Sequence, residues 1–95
     1  MELIKQFFGY GDNPDSVTNK VSNTGVVSSD TTGVGTARYG VAAANYGSDK
    51  VIFGYGNDYT NALSLTNLVS NTGVVSTDTT GVGTARYLLA ASNFG

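Results

Sequence analysis

Two arginines stand directly before tyrosines, Arg38-Tyr39 and Arg86-Tyr87, so a planar cation sits beside an aromatic face twice in one chain. A guanidinium grips a carboxylate with two parallel hydrogen bonds, and a tyrosine ring offers an apolar face with a polar tip. Tyr10 and Tyr55, each between two glycines, and Tyr59 extend the aromatic set. Oxygen-bearing side chains lie nearby in two dissimilar stretches, Asp12-Asn13-Pro14-Asp15 and Asn57-Asp58-Tyr59-Thr60-Asn61. These types suit recognition of a sugar or a protein surface. The candidate ligand-binding residues are therefore Tyr10, Asp12, Asn13, Arg38, Tyr39, Tyr55, Asn57, Asp58, Tyr59, Arg86 and Tyr87. Each has a plainer role open to it: packing for the tyrosines, pairing of the arginines with Asp30 and Asp78, and drift of exposed loops.

Much other chemistry is excluded by composition. The 95 residues contain no His, Cys or Trp, which removes an imidazole base, a thiolate nucleophile, a disulfide framework and a thiolate zinc site. Asp12, Asn13 and Asp15 loosely resemble a calcium loop but lack its acidic ladder and glycine. Val34-Gly35 and Val82-Gly83 are too sparse to cradle phosphate. No cofactor or metal is expected. A net charge of −2 with 5 Lys and Arg gives no basic footprint for nucleic acid or anionic lipid. Nothing approaches the roughly 18 apolar residues of a spanning helix, and Met1 to Phe8 is too short for a signal peptide. A soluble chain is expected, of undetermined location.

The elements that must position these residues come from a duplication. Val21 to Tyr39, VSNTGVVSSDTTGVGTARY, returns as Val69 to Tyr87 with only Ser29 and Thr77 different, an offset of 48 (69 − 21). Phe8-Gly9-Tyr10-Gly11 returns as Phe53-Gly54-Tyr55-Gly56 at an offset of 45 (53 − 8), so three residues are added in between. We call these repeat one and repeat two. The apolar runs are short, rich in Val, Tyr, Phe and Thr, and broken by Gly, Asn and Asp, which is strand composition. Successive strands are predicted over Tyr39 to Tyr46, Val51 to Tyr55, Leu63 to Val69 and Val74 to Thr79. Tight turns are predicted at Gly47-Ser48-Asp49, Asn71-Thr72-Gly73 and Asn23-Thr24-Gly25. Ala42, Ala43 and Ala44 suit a crowded axis.

A period near 48 matches a four-stranded propeller blade better than a solenoid rung, with a β-solenoid or another β array as the alternative. Arg38-Tyr39-Gly40-Val41-Ala42-Ala43-Ala44 followed by Lys50-Val51-Ile52-Phe53-Gly54-Tyr55-Gly56 resembles the kelch repeat of β-propellers, with its glycine doublet split and its fourth-strand Trp missing. Ser28-Ser29-Asp30-Thr31-Thr32-Gly33, repeated from Ser76 to Gly81, resembles the Asp-box turn of sialidase-type propellers. The kelch resemblance implies an all-β chain of two blades made of four-stranded antiparallel sheets. Its phase implies strands two to four of one blade over 1–33, an entire blade over 34–81, and a surplus first strand, Tyr87 to Phe94, within 82–95. That strand would complete the blade of a neighbouring subunit.

Two blades cannot close a ring, so their faces and strand edges call for more blades. Head-to-tail homo-oligomerisation supplies them, a trimer giving about six blades and a tetramer about eight. The trimer is preferred because six-bladed rings are common among kelch-like proteins. A piece of a longer natural array is the other source of such a sequence. The expected function is a self-assembling structural module without catalysis. The alternative is a multivalent binding module of lectin or virion-adhesin type, taking a carbohydrate or protein at its rim loops. A third reading, an enzyme at the ring axis with Asp as base and Arg as clamp, lacks a positioned carboxylate pair.

Overall fold

The computed structural model describes residues 4–11 and 14–94, which leaves Asp12 and Asn13 outside the described residues. Within them the fold is all-β, two small antiparallel sheets without a helix. β1 (Ile4–Gly11) pairs with β2 (Asp15–Ser22) in the first sheet. β3 (Ala42–Tyr46), β4 (Lys50–Gly54) and β5 (Thr66–Val69) follow one another across the second. The two sheets repeat the same register: Phe8 opposes Asn19 and Gly9 opposes Thr18, as Phe53 opposes Asn67 and Gly54 opposes Thr66. This register extends the duplication back before Val21, matching Ser16-Val17-Thr18-Asn19 to Ser64-Leu65-Thr66-Asn67.

The turns follow their residues. Between β3 and β4 the chain reverses through Gly47 and Ser48, with φ of 58° and 66°, a region that glycine enters without steric cost. After β2 and β5 the reversal is the same in both repeats: Gly25 N–H donates to Ser22 O at 3.0 Å and Gly73 N–H to Ser70 O at 2.9 Å. The Ser22 and Ser70 hydroxyls accept from backbone N–H groups within those turns.

Four expected strands change on folding. The strand expected from Tyr39 begins only at Ala42, because Tyr39 pairs instead with Asn57 in an isolated antiparallel bridge. Val74 to Thr79 touches β5 only by isolated antiparallel bridges, Val69 to Val75 and Thr66 to Thr79. The cause is Asn67, whose side-chain amide takes the carbonyl of Ser76 between those bridges at 3.2 Å, so a side chain replaces a ladder bond. Repeat one does the same with Asn19 and Ser28 between the bridges at Val21 and Thr18. The strand expected from Leu63 begins only at Thr66, because the Leu63 N–H turns instead to Gly56 O at 2.8 Å. Tyr87 to Phe94 forms no ladder among the described residues. Leu88 takes φ 56°, as Gly40 takes 65° at the matching position of repeat one, and its N–H donates to Gly40 O at 2.8 Å. That bend is incompatible with an extended strand through Leu88.

The core lies where the sheets meet. Phe53, Val69 and Val75 are buried in repeat two, and Tyr10 and Val34 of repeat one pack on them together with Val41 and Val51. The Tyr10 and Phe53 rings lie 5.2 Å apart, tilted by 54°. A Cβ on Gly9 would come within 2.7 Å of the Phe53 ring, so only glycine lets the ring sit this close to β1. Of the alanines expected at a crowded axis, Ala42 alone is buried.

Candidate functional site

Both arginines are placed by their own repeats, and Arg38 is spent on the next. Arg38 N–H donates to Asp15 O and its carbonyl accepts from Gly11, while Arg86 N–H donates to Leu63 O and its carbonyl accepts from Gly56. The two backbones are therefore docked identically. The Arg38 side chain then leaves repeat one: Nη1 donates to Tyr55 O at 3.1 Å and Leu65 O at 3.0 Å, and Nη2 donates to Asn67 Oδ1. Its Nε is held by Thr36 O at 3.0 Å, and its guanidinium lies 4.7 Å from the centre of the Tyr10 ring. Arg38 is 0% exposed. A buried cation is tolerable only with such a set of acceptors, and this one leaves no fork for a ligand.

The expected pairing of Arg38 with an aspartate is replaced by a relay through Asn67. Asn67 donates its other edge to Asp78 Oδ1 at 2.9 Å, and Asp78 also receives the Thr36 N–H at 3.1 Å and the Thr36 hydroxyl at 2.7 Å. Partial burial pushes the Asp78 carboxyl up, but the Thr36 and Asn67 hydrogen bonds and the nearby Arg38 charge outweigh it and bring the carboxyl below the ordinary aspartate value. Tyr10 moves the other way: burial raises its phenol above the usual value, against the lowering effect of Arg38. Thr36 and Asn67 were not among the candidates read from the sequence. Thr36 lies in the repeated segment, recurring as Thr84, and that recurrence was the available signal.

The remaining candidates divide into two groups. Tyr55 belongs with Arg86 in an arrangement like that of Tyr10 and Arg38: the guanidinium lies 4.8 Å from its ring centre and its hydroxyl donates to Val82 O at 2.8 Å. The corresponding bond from Tyr10 reaches Val34 O at 3.1 Å. Elsewhere, Tyr39 stands between Tyr59 at 5.1 Å and Tyr87 at 5.9 Å, which brings three tyrosines from separate loops into one aromatic cluster. Tyr59 and Tyr87 are exposed. Asn57 and Asp58 shape the loop beneath them, since Asn57 Oδ1 accepts from Tyr59 N–H and Asp58 Oδ1 accepts from Thr60 and Asn61 N–H. Those N–H groups, that of Asn61 most, lower the Asp58 carboxyl.

No group of acidic side chains that could hold a metal occurs among the described residues, and they form no helix long and apolar enough to cross a membrane. A cavity of about 230 Å³ opens beside Gly54, Tyr55, Thr66, Arg86 and Leu89. Comparison with protein-family models, curated proteins and solved structures finds no match for this chain.

Proposed function

We propose that the chain is a structural, non-catalytic module built of kelch-like propeller blades, which assembles head to tail with further copies of itself. One observation carries this reading. Phe53 is 3% exposed and Phe8, at the same position of repeat one, is 60% exposed. Val75 and Val27 repeat the contrast at 8% and 53%. The strand register is the same in both repeats, but among the described residues neither a counterpart of β3 nor a further repeat covers the Phe8 and Val27 side chains, whereas Tyr10, Val34 and Val41 cover those of repeat two. Burying an aromatic ring and its neighbours contributes about 1.5 to 3 kcal/mol for each large side chain, which favours stacking a further repeat there. The contact is heterologous, and three copies closing into a six-bladed ring is the preferred assembly. Native mass spectrometry or light scattering at low micromolar concentration tests it. A single species at three or four times the chain mass is expected, and a stable monomer overturns it.

The Tyr39, Tyr59 and Tyr87 cluster favours a second reading, a multivalent carbohydrate-binding rim. Tyr59 holds its exposed position at φ 82°, a conformation costly for a tyrosine and frequent at binding loops. Repetition of the cluster around an assembly would add avidity. Retention on a glycan array that is lost in Tyr59→Ala and Tyr87→Ala supports this reading, and no retention by the assembled protein refutes it.

A further inference from the structure

We infer, resting on the head-to-tail reading above, that a second chain docks by seating its Phe8 in the cavity beside Gly54, while Arg86 of the first chain locks into the second chain's Asn19. The seam within one chain supplies the template. There, Phe53 lies against Gly9 and Tyr10, Val41 packs beside it, and Arg38 closes the contact. Each of these residues recurs at the cavity: Gly54 for Gly9, Tyr55 for Tyr10, Leu89 for Val41 and Arg86 for Arg38. The residue matching Phe53 is Phe8, exposed on the opposite face of the molecule's repeat order. Receptor and plug are both present in every chain but belong to different ends of the repeat order, so they meet only between chains.

The polar half matches as closely. Arg86 Nε is already held by Thr84 O at 3.2 Å, as Arg38 Nε is by Thr36 O. Its terminal nitrogens meet no acceptor among the described residues, although they occupy the position from which Arg38 reaches Tyr55 O, Leu65 O and Asn67. The matching acceptors on the second chain are Tyr10 O, Val17 O and Asn19 Oδ1. Asn19 is pre-set for this role, because its amide nitrogen donates to Ser28 O at 3.2 Å and Asp30 Oδ1 at 2.8 Å, which turns its carbonyl oxygen as that of Asn67 is turned. Asp30 then receives Thr84 as Asp78 receives Thr36.

The test uses two variants whose defects lie at opposite ends of the contact. Phe8→Glu spoils the plug and Arg86→Glu spoils the lock. Both side chains are exposed in the single chain, so neither change touches its own core. Each variant alone is expected to remain monomeric, with the concentration for half-assembly raised by about 30-fold or more. Mixed one to one they are expected to form a dimer and nothing larger, because only one intact plug and one intact lock remain. Variants that assemble like the parent, or monomeric variants whose mixture stays monomeric, overturn the docking geometry. An oligomeric parent alongside such a result leaves self-assembly standing, whereas a monomeric parent removes both. Phe8→Trp gives a second readout in a chain without tryptophan. Its emission is expected to shift to the blue with rising concentration in step with mass, and emission that stays constant while mass rises refutes the seating of residue 8.

Discussion

Asn67 takes the Arg38 guanidinium on the oxygen of its amide and gives the nitrogen to Asp78, so one side chain of repeat two binds both a cation from repeat one and the carboxylate beside it. An amide can do this because it carries an acceptor and donors on opposite sides, whereas a carboxylate at the same place would have nothing to donate to Asp78. The seam is thereby neutral at its centre and charged on either side.

Truncating either partner of that contact leaves a buried polar group without its match. Asn67→Ala is expected to destabilise the chain by about 1.5 to 3 kcal/mol, the range for a hydrogen bond to a charged group. Arg38→Ala should cost as much or more, since it also empties the space over Tyr10. The double variant is expected to lose less than the two together, with a coupling of about 1 to 3 kcal/mol. Urea unfolding followed by far-ultraviolet circular dichroism measures all three. Strict additivity would mean that the two side chains do not depend on each other.

The two phenylalanines separate core from cover. In dilute solution Phe53→Ala is expected to cost about 3 to 5 kcal/mol, as for an aromatic removed from a packed interior. Phe8→Ala under the same conditions should lie within about 0.5 kcal/mol of the parent, as an exposed position does. Thermal unfolding of both at a concentration where the parent is monomeric checks this, and equal losses would place Phe8 in the core of the single chain.

The strands and turns were legible because their signals are local. Gly47-Ser48-Asp49 and Asn71-Thr72-Gly73 carry the residues that positive φ demands, and the short apolar runs on either side of them mark the strands. What lay beyond the sequence was the choice of partner among repeated groups. Arg38 has several acceptors within reach once the repeats stack, and the aspartate that sequence suggested lost to two carbonyls and Asn67, because only the stacked backbone puts Tyr55 O and Leu65 O at the end of that side chain. Tyr10 and Tyr55 read alike as rim tyrosines for the same reason. Their flanking glycines signal close approach, but not that Tyr10 approaches Phe53 and Val34. Val74 to Thr79 does lie beside β5, but as isolated bridges rather than the strand expected, because the Asn67 side chain interrupts the ladder, as Asn19 does beside β2.

The lowered Asp78 carboxyl fixes the sign of the acid response. A group whose folded value lies below its unfolded one contributes stability above the unfolded pKa, about 3.9 for aspartate, and loses it as pH falls through the folded value. Stability should therefore be level from neutral pH down to about 5 and decline below about 4. Asp49, lowered chiefly by the Lys50 hydrogen bond, and Asp58 act in the same direction. Asp78→Asn is expected to flatten the acid limb without abolishing it. Urea unfolding from pH 7 to pH 2 reads the slope, and an Asp78→Asn slope equal to the parent's would show that the Thr36 and Asn67 bonds do not favour the charged form.

Gly35 and Gly83 occupy the same place in the two repeats, with φ of 83° and 86°, yet they face different surroundings. A Cβ on Gly35 would come within 2.5 Å of Asp78 Oδ1 and 2.6 Å of Asn67 Nδ2, while one on Gly83 would meet only the Tyr55 hydroxyl at 3.1 Å. Alanine at either position incurs the left-handed backbone cost, about 1 to 2 kcal/mol. Only at Gly35 does it also push apart the Thr36, Asp78 and Asn67 contacts, for which overpacking adds about 1 to 3 kcal/mol. Gly35→Ala is therefore expected to lower the urea midpoint of the dilute chain distinctly more than Gly83→Ala, with no change in the slope of the transition. Under the proposed docking, raising the protein concentration should narrow the gap, because the second chain's Asp30 and Asn19 would then lie against Gly83 and its alanine variant would suffer the clash that Gly35→Ala already suffers. A gap that is the same at every concentration would mean that no second chain packs against Gly83.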